Sequence, residues 1–411
     1  MTHDAEQSPE SSPFAGLKVV AVTRVIAAPF AAYQLALHGA DVITVEAPGE
    51  GDSYRYSGDQ KTPLPQAGMG GGFLAQSANK RSLTLNFAEP EGQEILRRLV
   101  EKADVFIENL RTGTLARYGL DFASMSQINP RLVYCSVTGY GQTGPKRRDP
   151  AMDMAIQAAS GMMSVTGTPE SGPVKTSFPV VDYATGMSAT IGILTALLHR
   201  TRTGRGQYVD VSMLETALVL MSSFVTDYVT GGTRHGLVGN GSGRGNYVHN
   251  AFRTANGVLL IAAGTELRRS RLWKVLGLED IYQDPRFVTP ELCRRNVKEL
   301  DAVIEARLMD KPAAEWESLL QDAGVTAMYV RSIPEIVEHP QILARDFFHT
   351  FPDQGGRGFA ITVPKASYKL SEGQVRMHSA PASVGQNTDE ILVELGYKEQ
   401  EIIRLHERGI V

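Results

Sequence analysis

Residues 17–46, LKVVAVTRVIAAPFAAYQLALHGADVITVE, decide the fold class of this chain. Residues 17–22 form an apolar run typical of a buried strand, and residues 30–38 carry small apolar side chains suited to a packed helix. Residues 42–46 read as the next strand, with β-branched side chains at 42–45. A strand, a helix and a strand at this spacing predict a βαβ unit, so we expect a parallel sheet.

The turn after the first strand is not that of a dinucleotide-binding protein. It reads TRVIAAP over residues 23–29 and contains no glycine. The dinucleotide fingerprint needs glycines there, because the backbone must touch a pyrophosphate. The sequence therefore gives no support for a nicotinamide cofactor.

The same alternation continues along the chain. Further strands are predicted at residues 83–87, 104–107, 131–138 and 208–211, and helices at residues 92–102, 149–163, 184–198 and 214–229. Alternating strands and helices predict an α/β fold with a mostly parallel sheet covered on both faces.

Composition narrows the function. The chain of 411 residues has a formal net charge of −4, which argues against a nucleic-acid partner. Its two cysteines, Cys135 and Cys293, cannot build a disulfide framework and fit a reducing, cytoplasmic location. The longest apolar run, residues 184–198, is expected to be too short and too rich in Thr and Gly to span a membrane.

Three regions are predicted. Residues 1–16 are a disordered N-terminal tail without the apolar segment of a signal peptide. Residues 17–229 and 325–411 form a large domain. Residues 230–324 form a small α+β domain, which includes a glycine-rich loop, a hairpin turning at Asn256-Gly257 and three helices.

Asp182 is the residue of greatest chemical interest. It follows an extended apolar segment, residues 178–181, and precedes the predicted helix at 184–198. One interpretation is a helix N-cap that accepts backbone N–H groups. The other is a nucleophile, ionised at neutral pH because a free Asp titrates near ~3.9.

Several separate stretches together resemble one family. They are GADVI at 39–43 with Glu46, NKRS at 79–82, ADV at 103–105 with Glu108-Asn109, SVTGYGQTGP at 136–145, Asp153 with Gln157, Ser160 and Gly161, Asp182 with Gly186, GRGQ at 204–207, and AP at 380–381 with Gly385, TDEIL at 388–392 and LGY at 395–397. In this order they resemble the class III CoA-transferases, which include formyl-CoA:oxalate and carnitine CoA-transferases and are related to the α-methylacyl-CoA racemases. The resemblance covers the chain from residue 17 to the end.

The resemblance implies a Rossmann-like large domain built from both chain ends, and a small domain between them. It also implies an interlocked homodimer with the active site at the subunit boundary. Coenzyme A thioester would be a co-substrate, with no tightly bound cofactor, no metal site and no membrane partner.

The resemblance assigns Asp182 as the nucleophile. It would form an anhydride with the acyl group and then an aspartyl-CoA thioester, both of which water would destroy. The glycine-rich run would be a lid, with Gly241, Gly243, Arg244 and Gly245 as its residues. The alternative is that this run is a flexible linker.

Ten residues match the family's CoA pocket or its surroundings. They are Val25, Ala27, Lys80, Arg81, Asn109, Leu110, Thr114, Arg117, Tyr118 and Tyr140. Cations and free backbone N–H groups suit the phosphates of CoA. Lys80 and Arg81 could instead be a solvated strand end, and Arg117 a cation at a helix C-terminus.

At some positions the residue differs from that of known family members, and these differences limit the acids that can be expected as substrates. Ile26 and Ala47 stand where formyl-CoA transferases have glutamine and arginine, so oxalate and formate are not expected. Lys175 and Arg244 could hold a second carboxylate, which favours a dicarboxylate such as succinate as donor or acceptor.

Racemisation and non-catalytic CoA binding are the alternatives to CoA transfer. Met152 stands where the racemases carry a histidine, and a thioether cannot exchange a proton, so racemisation is disfavoured. Glu266 lies close to the sequence position where the racemases have a supporting glutamate. Since transferases also tolerate acidic residues there, it does not distinguish the two reactions. A non-catalytic CoA-binding scaffold has no positive feature in the sequence.

Overall fold

The computed structural model describes residues 12–241, 245–353, 357–373 and 375–411. Its strands are β1 Lys18–Val22, β2 Asp41–Glu46, β3 Lys80–Thr84, β4 Val105–Glu108, β5 Val133–Thr138, β6 Gly167–Thr168, β7 Gly172–Pro173, β8 Tyr208–Ser212, β9 His249–Arg253, β10 Val258–Ala262, β11 Thr326–Tyr329, β12 Phe348–Phe351 and β13 Ile361–Pro364. Its helices are α1 Ala27–Leu37, α2 Pro63–Gln66, α3 Gly71–Leu74, α4 Pro90–Glu101, α5 Phe122–Ile128, α6 Asp153–Ala159, α7 Val180–Thr203, α8 Met213–Leu220, α9 Ser222–Gly231, α10 Glu266–Leu276, α11 Pro290–Arg295, α12 Val297–Leu308, α13 Ala313–Asp322, α14 Ile333–Val337, α15 Pro340–Ala344, α16 Thr388–Glu394 and α17 Glu399–Glu407.

The chain forms two compact units. The first comprises Met1–Ser160, Thr176–Ser222 and Asp346–Val411, and the second comprises Gly161–Lys175 and Ser223–Arg345. These bounds differ from the predicted 230–324 in three places, the first being the inclusion of residues 223–229. Residues 325–345 belong to the second unit because β11 pairs with β10. Segment 161–175 joins it through the backbone, where Gly239 donates to the carbonyl of Gly167.

A six-stranded sheet organises the first unit. Its order is β3-β2-β1-β4-β5-β8, and every neighbouring pair is parallel. One face packs against α4, α5, α16 and α17, and the other packs against α1 and α7. The predicted α/β class with a large parallel sheet is confirmed. The carboxyl ends of β1 and β4 adjoin at the point where the strand order reverses, the usual place for a ligand in such sheets.

Small residues let α1 and α7 approach closely. A side-chain carbon at Gly186 would lie 2.6 Å from the carbonyl oxygen of Ala27 and 2.9 Å from the ring of Phe30. Only glycine therefore fits at this contact. Since α1 follows β1 directly, the start of α7 is fixed next to the carboxyl edge of the sheet.

Helix α7 corrects two predictions. Residues 180 and 181 belong to the helix rather than to an extended segment. The helix continues to Thr203, so with 24 residues it is the one helix of the described part of the chain long and apolar enough to cross a membrane. The expectation that this run is too short was wrong, because residues 180–183 extend the helix at one end and the polar residues 199–203 extend it at the other.

The second unit is built on the antiparallel sheet β11-β10-β9. The hairpin predicted at Asn256-Gly257 is present, with Gly257 at a φ of 94°. Four α-helices, α10 to α13, follow it where three were predicted, and they bury Trp273 and Trp316.

The C-terminal segment is anchored on the first unit by the NKRS stretch. Asn79 has a φ of 61°, and its side chain accepts the backbone N–H groups of His378 and Ser379 at 2.9 and 3.2 Å. Ser82 is buried. Its hydroxyl donates to the Glu46 carboxylate at 2.6 Å and accepts the backbone N–H of Gly385 at 2.9 Å. These matched residues therefore hold the two chain ends together.

Candidate active site

Asp182 lies in the first turn of α7 and is half-buried. The N-cap position of this helix is Pro179, and no side chain bonds there as a cap within that turn. The capping interpretation of Asp182 is therefore unsupported. Its carboxylate is left available for chemistry.

Asp153 supplies the cap from another helix. One of its carboxylate oxygens accepts the backbone N–H groups of Val181 and Asp182 at 2.8 and 3.0 Å. The other accepts the amide of the buried Gln157 at 2.5 Å. Gln157 in turn accepts the backbone N–H of Thr176 at 2.9 Å. An anion is favoured at a helix N-terminus, so this network fixes the start of α7 and the position of Asp182.

The surroundings make Asp182 a weaker acid than a free aspartate. Burial, and then the negative charge of Asp153, raise its pKa to about 7. The expectation that Asp182 is fully ionised at neutral pH therefore needs correction. A carboxyl with a raised pKa in a partly dry site is a typical feature of functional sites.

The turn between β1 and α1 is held in a strained conformation. Val25 has a φ of 67°, which costs a non-glycine residue about 1–3 kcal/mol. Its N–H donates to Asp52 at 2.9 Å, and its carbonyl accepts from the buried Gln76. Asn109, at the end of β4, bonds both the N–H and the carbonyl of Arg24, at 2.8 and 2.7 Å. Three side chains thus keep this turn in one shape.

A buried ion pair supports the same edge. Arg55 bonds both carboxylate oxygens of Glu46, at 2.7 and 2.6 Å, and both residues are buried. Burial opposes the ionisation of Glu46, but hydrogen bonds and the charge of Arg55 outweigh it, so the pKa of Glu46 is lowered. Glu46 also accepts the backbone N–H of Asp52 at 3.0 Å. The pair thereby positions the residue that holds Val25.

Two pockets open at the carboxyl edge of the sheet in the first unit. One, of about 140 Å³, is lined by residues that follow β1, β2, β3 and β4, including Arg24, Asp52, Asn86 and Leu110. The other, of about 280 Å³, lies beside β4, β5 and β8, and its lining includes Arg111, Thr114 and Tyr208. Glu108 also lines this pocket, and burial raises the pKa of its carboxyl to about 7.

The structure places four of the ten residues expected to bind CoA at one edge of the sheet. Val25, Ala27, Asn109 and Leu110 lie at the carboxyl ends of β1 and β4, and Thr114 lines the larger pocket. Arg117 is exposed and Tyr118 is partly buried in the following 3-10 turn. Tyr140 lies in the turn after β5, with the Lys146 ammonium 5.4 Å from its ring centre.

Lys80 and Arg81 lie elsewhere. The Lys80 ammonium is buried, donates to the carbonyl of Pro29 at 2.7 Å, and has a pKa that burial lowers to about 7. Arg81 is engaged by Asp41 and Glu394, both at 2.7 Å. Lys80 is buried and Arg81 is already paired with carboxylates, so neither side chain is available to bind a phosphate of CoA.

The predicted lid lies in the second unit. Gly241 donates its N–H to the carbonyl of Val238 at 3.0 Å, and Gly245 has a φ of 77°. Gly243 and Arg244 lie outside the described residues. Glu266 pairs with Arg269 at 2.9 Å within the second unit.

Three further features concern proton transfer, carboxylate binding and metal binding. Met152, at the N-cap of α6, is 67% exposed and brings no titratable group to the site. Lys175, the other candidate for a second carboxylate, is exposed at the edge of the second unit. The described residues contain no cluster of side chains suited to a metal ion.

Sequence reasoning missed several residues of the site. Asp52, Gln76 and Arg111 were not singled out, and Asp153 was noted only as part of a matched stretch. The available signals were the position of Asp52 soon after β2 and the position of Arg111 soon after β4. A cap that comes from another helix, as Asp153 does, leaves no local signal.

The chain is similar to known proteins over nearly its whole length. CoA-transferase family III matches residues 14–388. The succinyl-CoA:glutarate CoA-transferase of Mus musculus is 32% identical over 409 residues, which covers 97% of this chain and 90% of the relative. The succinyl-CoA–L-malate CoA-transferase beta subunit of Chloroflexus aurantiacus is also 32% identical, with 97% and 98% covered.

A solved structure has the same fold. It is a CAIB/BAIF family protein from Brucella suis, with a TM-score of 0.84, 32% identity, and coverage of 94% of this chain and 100% of that protein. The family match covers nearly the whole chain, and the relatives match over nearly their full length. An aspartate that does not act as a cap lies at the start of α7, as the resemblance requires. The chain belongs to CoA-transferase family III.

Proposed function

We propose that this protein moves CoA from an acyl-CoA thioester to a carboxylic acid, with Asp182 as the nucleophile. The observation that carries the proposal is the Asp182 carboxyl itself. It is half-buried at the start of α7, makes no cap, and lies on a helix end whose backbone is already held by Asp153. Such a group is positioned to react rather than to stabilise the helix.

The proposed reaction balances without a cofactor. An Asp182 oxygen attacks the thioester carbon, the carbon–sulfur bond breaks, and the CoA thiolate leaves an acyl-aspartyl anhydride. The thiolate then attacks the aspartyl carbonyl carbon, which releases the donor acid as a carboxylate and leaves an aspartyl-CoA thioester. The acceptor carboxylate repeats these steps in reverse. Because ionised Asp182 is the attacking form, the rate should rise with pH toward about 7.

Dicarboxylic acids are the proposed substrate class. The relatives from Mus musculus and Chloroflexus aurantiacus carry succinyl-CoA, glutarate and malate in their names. We propose succinyl-CoA as the donor and an acid of this kind as the acceptor.

We propose that CoA binds along the carboxyl edge of the sheet. The fixed turn at Val25, the pocket lined by Leu110 and the pocket lined by Arg111 support this placement. Arg24 and Arg111 are exposed at those pockets and suit the phosphate groups. Thr23 and Thr112 carry buried hydroxyls without a partner among the described residues, so they offer further hydrogen bonds.

We propose that two chains form the interlocked homodimer of the family. Met187, Ile191 and Leu198 lie on one stripe of α7 and are 51%, 65% and 62% exposed. An apolar stripe of this kind suits a subunit boundary. On this proposal α7 is covered by the partner rather than by a bilayer, and the protein is cytoplasmic. The run that includes Gly241 and Gly245 is proposed as the lid that excludes water.

One experiment tests the reaction. Wild-type protein incubated with succinyl-CoA and then digested should yield a peptide in which Asp182 carries CoA and is released by hydroxylamine. Asp182→Asn should yield no adduct and lose nearly all turnover, because an amide cannot form the anhydride. Asp149→Asn changes an exposed carboxylate that pairs with Lys146, so it should behave like wild type. An adduct on another residue would overturn the proposal.

A further inference from the structure

Asp52 connects the start of α1 to a tyrosine that the sequence did not single out. One oxygen of the buried Asp52 accepts the N–H of Val25 at 2.9 Å, and the other accepts the N–H of Tyr54 at 2.9 Å. Val25 immediately precedes Ile26, the N-cap of α1. Tyr54 is therefore tied to the N-terminal end of α1.

The start of α7 is packed against this same end of α1. Gly186 approaches the carbonyl of Ala27, and the ring of Tyr183 meets the ring of Phe30 edge-on, with 5.1 Å between the centres. Asp182 precedes Tyr183 in the chain. Tyr54 and Asp182 are therefore both held near the same end of α1, by two different elements.

The ring of Tyr54 rests on a glycine that leaves it room. A side-chain carbon at Gly72 would lie 2.3 Å from Cε1 and 2.5 Å from Cζ of Tyr54. The same atom at the neighbouring Gly71 would have nothing within 4 Å. Residue 72 must therefore be small for the phenol ring to keep this place.

The Tyr54 hydroxyl is an unused donor. It makes no hydrogen bond with another described residue, unlike the hydroxyl of Tyr56, which donates to the carbonyl of Glu50 at 3.0 Å. Burial, and then the charges of Tyr183, Asp182 and Asp52, raise the pKa of Tyr54. The phenol therefore remains protonated, and can donate, throughout the range in which Asp182 ionises.

We propose that Tyr54 is a substrate-contacting residue whose hydroxyl donates a hydrogen bond to the acyl or carboxyl oxygen of the acid group bound beside Asp182. This inference rests on the proposed function, because it needs an acid group at Asp182. A neutral phenol suits such an oxygen, since it adds a donor without placing a second fixed charge next to Asp153 and Asp182. A hydrogen bond to a group that develops negative charge is among the stronger ones in proteins.

The test compares Tyr54→Phe with Tyr56→Phe. Both changes remove one hydroxyl and keep the ring. With succinyl-CoA as the probe, Tyr54→Phe should slow formation of the Asp182–CoA adduct about tenfold or more, while the affinity for free CoA stays unchanged. Tyr56→Phe should match wild type in both measurements. Equal adduct rates in the two variants would overturn the role of Tyr54.

A second pair of variants does not alter the tyrosine. Gly72→Ala should displace the Tyr54 ring and slow adduct formation, whereas Gly71→Ala, which meets open space, should leave it unchanged. If wild type forms no Asp182 adduct, the proposed function fails and this inference fails with it. If wild type forms the adduct and neither Tyr54→Phe nor Gly72→Ala slows it, only the inference about Tyr54 is wrong.

Discussion

The carboxylate of Asp153 accepts the backbone N–H of Asp182 at 3.0 Å, across 29 positions of sequence. The helix end that would otherwise attract the Asp182 side chain is therefore already satisfied. The charge of Asp153 acts on the carboxyl of Asp182, and of these two groups only Asp153 uses its carboxylate in hydrogen bonds with described residues. This relationship separates the residue that positions the site from the residue that reacts.

The first prediction concerns stability and pH. The raised pKa of Asp182 means that the folded protein holds this proton more tightly than the unfolded chain does. The resulting stability is present below about pH 4 and is lost as pH rises toward about 7. Asp182→Asn should therefore become more stable than wild type by about 1–2 kcal/mol at pH 8, a value reduced for partial exposure. Urea unfolding at pH 5 and pH 8 measures the difference. A gap that does not change with pH would contradict the shifted pKa.

The second prediction concerns Asp153. Asp153→Asn keeps an oxygen that can accept the N–H groups of α7 but removes the neighbouring negative charge. The pKa of Asp182 should fall, so the acid limb of adduct formation should move to lower pH by up to about one unit. A pH profile of the adduct rate measures this shift, with Asp149→Asn as the matched control. An unmoved midpoint would show that burial alone sets the pKa.

The third prediction concerns the buried ion pair. Arg55→Ala leaves the Glu46 carboxylate buried without its partner, which should cost about 3–5 kcal/mol of unfolding free energy. Arg98→Ala breaks an exposed pair with Glu94 and should cost less than about 1 kcal/mol. Urea denaturation of both variants tests this. Comparable losses would mean that the burial of Arg55 does not matter energetically.

The fourth prediction concerns assembly. Ile191→Glu places a charge on the exposed stripe of α7, so it should convert a dimer of twice 44.7 kDa into monomers in sedimentation experiments at micromolar concentration. Ile403→Glu changes an apolar residue on α17 that is 49% exposed, and it should leave the mass unchanged. A wild-type protein that is monomeric and still active would contradict the interlocked arrangement.

Most of the first unit follows from local pattern. The apolar runs at β1, β2, β4 and β5 alternate with helical segments, and crossover connections that contain a helix produce parallel strands. The absence of glycine after β1 remains the sequence argument against a dinucleotide fingerprint. Family resemblance, rather than periodicity, selected Asp182 from 45 acidic residues.

The start of α7 shows where local pattern fails. Residues 178–181 are apolar and look extended, yet the helix begins at Val180, because Asp153 caps it from α6. A local rule sees only neighbours in sequence, and this partner lies 28 positions away. The expectation about the length of the apolar run failed as well, since the helix includes residues 180–183 before that run and the polar residues 199–203 after it.

The sequence by itself determined the α/β class, the hairpin of the second unit and the family, because each depends on residues that are close in the chain or that match in order. Tertiary structure alone decided the protonation of Asp182, the burial of Lys80, the strained turn at Val25 and the place of Tyr54 beside Gly72. These properties depend on which charges and surfaces meet across the fold. Desolvation and charge act through space, so their effects on a residue can be determined only when it is known which distant segments lie beside it.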